Sequence, residues 1–213
     1  MNDLPRHQGM RNLLADLLRD KGITSSQVLA AIRNVPRHLF LESGFEQYAY
    51  QDNAFPIGAG QTISQPYTVA FQSELLGLEE GAKVLEVGTG SGYQAAVLCE
   101  MGIKVYSIER QKELFDSSSQ LLKKLGYQIT QKYGDGYKGL PAYAPYDGIV
   151  VTAGAPSIPK ALMEQLKIGA SLVIPVGEES QIMTVITRVS EKKFTKSEKG
   201  TFRFVPMLKE KER

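Results

Sequence analysis

The sequence predicts an α/β fold, with a central, mostly parallel sheet and helices on both faces. Three observations lead there. Residues 83–110 run from an apolar strand through a glycine-rich turn and a helix to a second apolar strand, which is the layout of a βαβ unit. Strand-like and helix-like segments then alternate as far as residue 166, and alternation calls for parallel crossovers. Two apolar runs at 170–176 and 181–189 follow with only a short turn at Gly177 between them, so the sheet should end on antiparallel strands.

The elements can be justified in order. Met10, Leu13, Leu14, Leu17 and Leu18 share one face of a helix over residues 9–20. Ser26 is placed to cap a second helix that Val35-Pro36 ends. Residues 42–63 form a long irregular segment; a loop of this length inside a compact fold is either functional or disordered, and Phe55, Ile57 and Ile63 favour order. A helix through Leu76 opens at Ser64, with Pro66 in its first turn, where a missing N–H does no harm. Beyond the βαβ unit the pattern predicts a helix over 111–125, strands over 127–132 and 147–152, and a helix over 157–166 capped by Ser157. A last strand is expected over 202–207, and the charged end 209–213 is expected to fray. The whole chain, 1–213, reads as one domain: a helical extension with a loop over 1–63, then an α/β core over 64–213.

Composition narrows the partners. With 25 basic and 23 acidic residues the net charge is +2, and no basic block stands out, so nucleic acid is not an expected partner. One cysteine, Cys99, and two histidines, His7 and His38, do not support a metal site. No signal peptide or membrane-length apolar run is visible, so a cytoplasmic protein is expected.

The turn Gly88-Thr89-Gly90-Ser91-Gly92 suggests what is bound. A dinucleotide turn reads G-x-G-x-x-G; here the third glycine comes one residue early, and Glu86 stands two residues before the turn. An acid there would repel a pyrophosphate and attract a cation. S-adenosylmethionine carries an ammonium, a sulfonium and a carboxylate, and no phosphate. Backbone N–H groups from Gly88 to Gly90 could meet its carboxylate, and Glu86 could support its ammonium. Glu109, 21 residues after Gly88, could accept from both ribose hydroxyls. Asp135 could accept from the adenine amino group or serve only as a turn residue. A dehydrogenase with a shortened loop stays open as an alternative.

The methyl acceptor is read by what is missing. The segment after the fourth strand, Thr152-Ala153-Gly154-Ala155-Pro156, lacks the Asn/Asp-Pro-Pro-aromatic pattern of base methylation, and no histidine lies nearby to deprotonate a hydroxyl. A carboxylate acceptor is already ionised at neutral pH. It needs alignment and a neutral hydrogen-bond donor, which Ser64 in Gln61-Thr62-Ile63-Ser64-Gln65-Pro66-Tyr67 could supply. Capping the following helix is the competing role for Ser64.

GQTISQPY, VLEVGTGSGY, GDGY and YDGIVVTAGAPSIPKAL together resemble the protein-L-isoaspartate (D-aspartate) O-methyltransferase family, and the resemblance extends from PRHLF at Pro36 to RFVP at Arg203. It implies a Rossmann-like S-adenosylmethionine-dependent methyltransferase fold. The implied activity is methyl transfer to the α-carboxylate of L-isoaspartyl residues, and more weakly of D-aspartyl residues, in damaged proteins and peptides. The ester then closes to a succinimide that hydrolyses partly to aspartate, which amounts to repair. The resemblance implies Ser64 as catalytic. It places Gln61, Thr62, Ile63, Tyr67, Glu86, Gly88, Thr89, Gly90, Glu109, Arg110, Asp135, Gly136 and Thr152 on the cofactor, and Ile57, Val205 and Pro206 on the substrate. A monomer without metal, nucleic-acid or membrane partners is expected. A small-molecule methyltransferase and a NAD-dependent dehydrogenase are the alternatives.

Overall fold

The computed structural model describes residues 3–212. Helices α1 (Pro5–Asp20) and α2 (Ser26–Asn34) come first. α1 starts earlier than its leucines suggest, because Pro5 serves as a first-turn residue. The cap of α2 is Ser25, not Ser26: the Ser25 hydroxyl accepts from the Val28 N–H at 3.3 Å while Ser26 is already helical. The 42–63 segment is ordered. A 3-10 helix at Ser43–Tyr48 leads into a small hairpin of β1 (Phe55–Pro56) and β2 (Thr62–Ile63).

The core follows as α3 (Pro66–Leu76), β3 (Lys83–Val87), α4 (Tyr93–Glu100), β4 (Lys104–Glu109), α5 (Lys112–Lys124), β5 (Thr130–Tyr133), β6 (Tyr146–Val151), α6 (Lys160–Glu164), β7 (Leu166–Val176), β8 (Gln181–Arg188) and β9 (Phe194–Phe202). The seven core strands run in the order β5-β4-β3-β6-β7-β8-β9. β3 to β7 are parallel, and β8 and β9 return antiparallel. Strand alternation divides the core in two. Val84, Val105, Val150 and Val173 face a cluster built with α1 to α4 and Leu122 of α5. Leu85, Val87, Ile108, Ile149 and Leu172 face the opposite side, with Leu162 of α6.

Three predicted elements differ. The helix over 157–166 is only α6, entered through Pro159 instead of Ser157, and Leu166 already belongs to β7. The Tyr146 N–H donates to Gln165 O at 2.8 Å, so pairing with β6 claims the end of that segment. The last strand is β9, not 202–207. It is an exposed edge strand, and its polar, lysine-bearing sequence hides it from a hydrophobic pattern while suiting an unpaired edge. The tail does not fray over its described part: the Glu212 N–H donates to Arg110 O at 3.0 Å, and the Arg110 guanidinium meets the Glu212 carboxylate at 2.8 Å. Residue 213 lies outside the described residues.

Two buried arginines order the N-terminal segment, and one of them, Arg37, ties it to the core. Arg11 donates to Arg33 O at 2.7 Å and to Asp3 at 2.7 and 2.9 Å. Arg37, fully buried, donates to Ala49 O at 2.9 Å and Asn53 O at 3.1 Å, and its guanidinium stacks over Tyr93 at 4.7 Å. Among the described residues no helix is long and apolar enough to cross a membrane.

Candidate active site

The C-terminal ends of β3, β4 and β6 open into a cleft of about 810 Å³, counting its part open to solvent. This is where an open parallel sheet binds its ligand. Gly88, Thr89 and Gly90 form its floor; Glu109, Arg110 and Gly136 line one end. Gln61, Thr62, Ile63 and Ser64 close it from the hairpin side, and Thr152, Val205 and Pro206 complete the wall.

The glycines act by shape. Gly88 has φ +97, and a Cβ there would lie 2.5 Å from Thr152 Oγ1. Thr152 in turn donates to the carbonyls of Val87 and Gly88, at 3.0 and 2.6 Å. The expectation that the turn offers free N–H groups does not hold at Gly88 and Gly90. Gly88 N–H donates to Ile108 O at 2.9 Å, and Gly90 N–H donates to Glu109 Oε2 at 2.9 Å. Both are used in joining the turn to β4.

The two acids have different tasks. Glu109 is the only carboxylate lining the cleft among the described residues. Its Oε1 accepts from the N–H groups of Arg110 and Gln111 at 2.8 and 2.9 Å, and its Oε2 from Gly90 alone. A carboxylate oxygen has two acceptor positions, so Oε2 keeps one open toward the cleft. Glu86 does not reach the cleft. It is fully buried on the helical face of β3, directly beside its register partner Ser107, whose hydroxyl bonds it. Ser107 also meets Thr89 Oγ1 at 2.6 Å. Burial raises the Glu86 carboxyl to about 8, against the lowering effect of the Ser107 bond. An acid buried there and inclined to stay protonated supports the floor of the site and does not touch a ligand ammonium.

Three other site residues stand apart from this cleft. The Asp135 carboxylate accepts from the Tyr137 N–H at 3.0 Å and caps a 3-10 turn at Gly136–Lys138, so only Gly136 of that pair lines the wall. Ile57 reaches toward Gly90, where an added Cβ would lie 3.5 Å from its Cδ1, but is not part of the lining. Tyr67 stacks on Phe71 at 5.6 Å and lines a second, adjoining groove.

That second groove, about 1620 Å³ with its solvent-open part, runs between Gln65–Thr68 and the 199–205 segment. Thr62, Ser64, Thr152 and Val205 line both spaces, so they form the passage between them. Ser64 is half-buried, and its hydroxyl makes no hydrogen bond among the described residues. It does not cap α3. The cap residue is Gln65, without a side-chain cap bond, and Asp52 acts instead: its Oδ1 accepts from the Tyr67 N–H at 2.7 Å. Asp52 also holds Gln65 Nε2 at 3.0 Å and Lys21 Nζ at 2.6 Å.

Sequence reading missed Asp52 and Arg37, whose partners lie on other elements. It also missed Met207 and Leu208, which line the cleft beyond Pro206; their signal was the apolar run continuing past Pro206. In the N-terminal segment, Asp3, His7 and His38 bring potential ligand atoms within 4.8 Å of one another. Arg11 occupies both Asp3 oxygens and His7 faces Glu46 at 3.2 Å, so the cluster works as an ion-pair anchor for α1.

The sheet order, the glycine turn against β4 and the acid at the end of β4 define an S-adenosylmethionine-dependent methyltransferase. Residues 9–212 match the family described as protein-L-isoaspartate(D-aspartate) O-methyltransferase, and the chain belongs to that family. It is 66% identical to the protein-L-isoaspartate O-methyltransferase of Flavobacterium psychrophilum over 212 residues, covering 99% of this chain and 100% of that one. The Christiangramia forsetii enzyme of the same name is 62% identical over the same shares. A solved protein-L-isoaspartate O-methyltransferase superposes with a TM-score of 0.85 at 30% identity, covering 92% of this chain and 65% of the longer one. A Plasmodium falciparum structure in complex with S-adenosyl-L-homocysteine shares the fold, with a TM-score of 0.81 at 24% identity over 93% of this chain and 98% of that one.

Proposed function

We propose that this protein-repair methyltransferase carries out its transfer at Ser64, where the cofactor cleft meets the peptide groove. The enzyme methylates isoaspartyl residues of proteins. S-adenosylmethionine, when bound, supplies the electrophilic methyl group. The acceptor α-carboxylate is ionised at neutral pH, so the protein has no proton to remove. Its tasks are alignment and exclusion of water.

The single observation that carries this reading is that Ser64 lines both spaces with an uncommitted hydroxyl. That hydroxyl donates to one oxygen of the acceptor carboxylate and leaves the other to react. A neutral donor orients the anion without the quenching that a cation would impose. Glu109 holds the ribose from the far end through Oε2, and the glycine floor lets the ligand lie close to the backbone. Val205, reaching both spaces, and Pro206 on the cofactor side form the wall against which the acceptor turns. The groove runs open between Tyr67 and the 199–205 segment, where an extended chain carrying the isoaspartyl linkage can lie.

A D-aspartyl residue presents its carboxylate less favourably and is methylated more slowly. The helical extension and the core act as one domain, since α1 and α2 pack on the same cluster as α3 and α4. One chain lines both spaces, which supports a monomer as the working unit. The near-neutral composition, with no basic block and few metal-ligating side chains, supports action in the cytoplasm without a nucleic-acid or metal partner. The decisive experiment is methyl release from paired peptides differing only in an isoaspartyl or aspartyl linkage. Methylation of the isoaspartyl peptide alone is expected. Equal methylation of both, or of neither, would sink the reading.

A further inference from the structure

The cofactor cleft has one wall made by the chain's end, and that wall is fastened at two places. Near its start, Gly154 N–H donates to Val205 O at 2.8 Å and Met207 N–H donates to Gly154 O at 2.7 Å. Tyr137 adds a hydrogen bond to Met207 O at 3.0 Å. Near its end, nearly everything converges on Arg110. The Arg110 Nε donates to Glu210 O at 3.0 Å, its Nη1 meets Glu212 Oε2 at 2.8 Å, and its own carbonyl accepts the Glu212 N–H at 3.0 Å. The Tyr133 hydroxyl also bonds Glu212 O. Between the two fastenings, Met207 and Leu208 line the cleft, and Met207 approaches Gly136, where a Cβ would lie 3.3 Å from its Cε.

The path between them is not a relaxed one. Glu210 has φ +64, a conformation that side-chain-bearing residues adopt reluctantly. The tail is therefore held in place by its far partners more than by its own backbone preference. Arg110 follows directly on Glu109, the residue that carries the ribose in the reading above. Its guanidinium is turned onto the tail.

We propose that Arg110 is a positioning residue: it latches residues 208–212 across the Gly136 end of the cleft and thereby sets how tightly the adenosine half of the cofactor is held. This rests on the cofactor reading above. The guanidinium acts through the tail and does not touch the ligand. Opening the latch frees Leu208 from that end of the cleft while Met207 stays fastened to Gly154 and Tyr137, and closing it completes the apolar wall.

The test is a double-mutant cycle read by calorimetric titration with S-adenosylhomocysteine. It compares the full chain, Arg110→Ala, a chain lacking 209–213, and the two changes combined. Each single change is expected to weaken binding about tenfold, and the combination to weaken it no further. Glu212→Gln, which alters the tail alone, is expected to fall between the full chain and the truncated one. S-adenosylhomocysteine should also slow tryptic cleavage at Lys209 in the full chain and not in Arg110→Ala. Additive losses, a loss from Arg110→Ala without one from truncation, a loss from truncation without one from Arg110→Ala, or no loss at all would overturn the latch. Failure of the unaltered chain to bind S-adenosylhomocysteine would instead overturn the cofactor reading on which it rests.

Discussion

Asp52 caps a helix that begins well downstream of it: its Oδ1 accepts the Tyr67 N–H at 2.7 Å, across 15 residues of chain. That bond stands where the side chain of Gln65 would otherwise serve. The same carboxylate binds Gln65 and Lys21, so it fixes the approach to α3 and, with it, the backbone on which Ser64 sits. Arg37 holds Asp52 in turn by gripping the carbonyls of Ala49 and Asn53 on either side.

Asp52→Ala should therefore cost stability and activity together. Loss of the cap is worth about 1–2 kcal/mol, a fall of roughly 3–6 °C in Tm for a chain of this size. Turnover should fall as well, because the Ser64 backbone loses its anchor. Thermal unfolding and kcat on an isoaspartyl peptide, measured side by side, check both; a stable variant with unchanged kcat would contradict the anchoring role.

Ser64→Ala should behave oppositely. Its hydroxyl bonds nothing among the described residues, so stability should stay within about 0.5 kcal/mol. Loss of a donor to an ionised acceptor should lower kcat by roughly ten- to a hundredfold, equivalent to about 1.5–3 kcal/mol. Affinity for S-adenosylhomocysteine should hardly move. A large fall in Tm would mean that Ser64 is structural after all.

Glu86→Gln should change the pH dependence of stability. The folded carboxyl titrates at about 8 against an ordinary value of 4.5, because burial disfavours its charge. Between those values the folded state holds a proton that the unfolded state has lost. Stability from this group is thus full below 4.5 and declines as pH rises toward 8, by up to about 1.4 kcal/mol per pH unit. Glutamine has no such slope and can still bond Ser107. Denaturation midpoints across pH 5 to about 8.5 should show the variant gaining on the original as pH rises; parallel curves would show that Glu86 is ionised throughout.

Gly88→Ala carries two separable penalties. The backbone at φ +97 disfavours any side chain, and the new methyl would lie 2.5 Å from Thr152 Oγ1. The strain alone is worth about 1–3 kcal/mol. Thr152→Ala removes the clash and leaves the strain but also loses the bonds to the Val87 and Gly88 carbonyls, so the Gly88→Ala loss should be smaller when measured in the Thr152→Ala background than in the original. A Gly88→Ala loss that vanishes in the Thr152→Ala background, or is unchanged there, read by chemical denaturation, would show that only one of the two effects operates.

Much of this protein was legible along the chain. The βαβ unit around Gly88, the run of hydrophobic strands, the ordered 42–63 loop and the position of Glu109 all follow from local patterns of apolar residues and glycines. The errors share a cause. Ser25 displaced Ser26 as a cap because φ and ψ at one residue decide the matter. β9 escaped notice because an edge strand is bonded on one side only and needs no apolar face. Glu86 was aimed at the ligand because strand alternation gives a face but not what covers it; α4 covers that face, and the acid is sealed beneath.

The sequence by itself determined the class of the sheet, the shape of the glycine turn and the motifs that carry the family, since each is encoded by neighbours within one or two elements. Only the tertiary structure decided that Ser64 is free of capping, that Glu86 is buried beside Ser107, and that Arg110 turns to the tail. Those outcomes hang on partners 15 to 102 residues distant, and such contacts form only once the sheet has brought remote segments together.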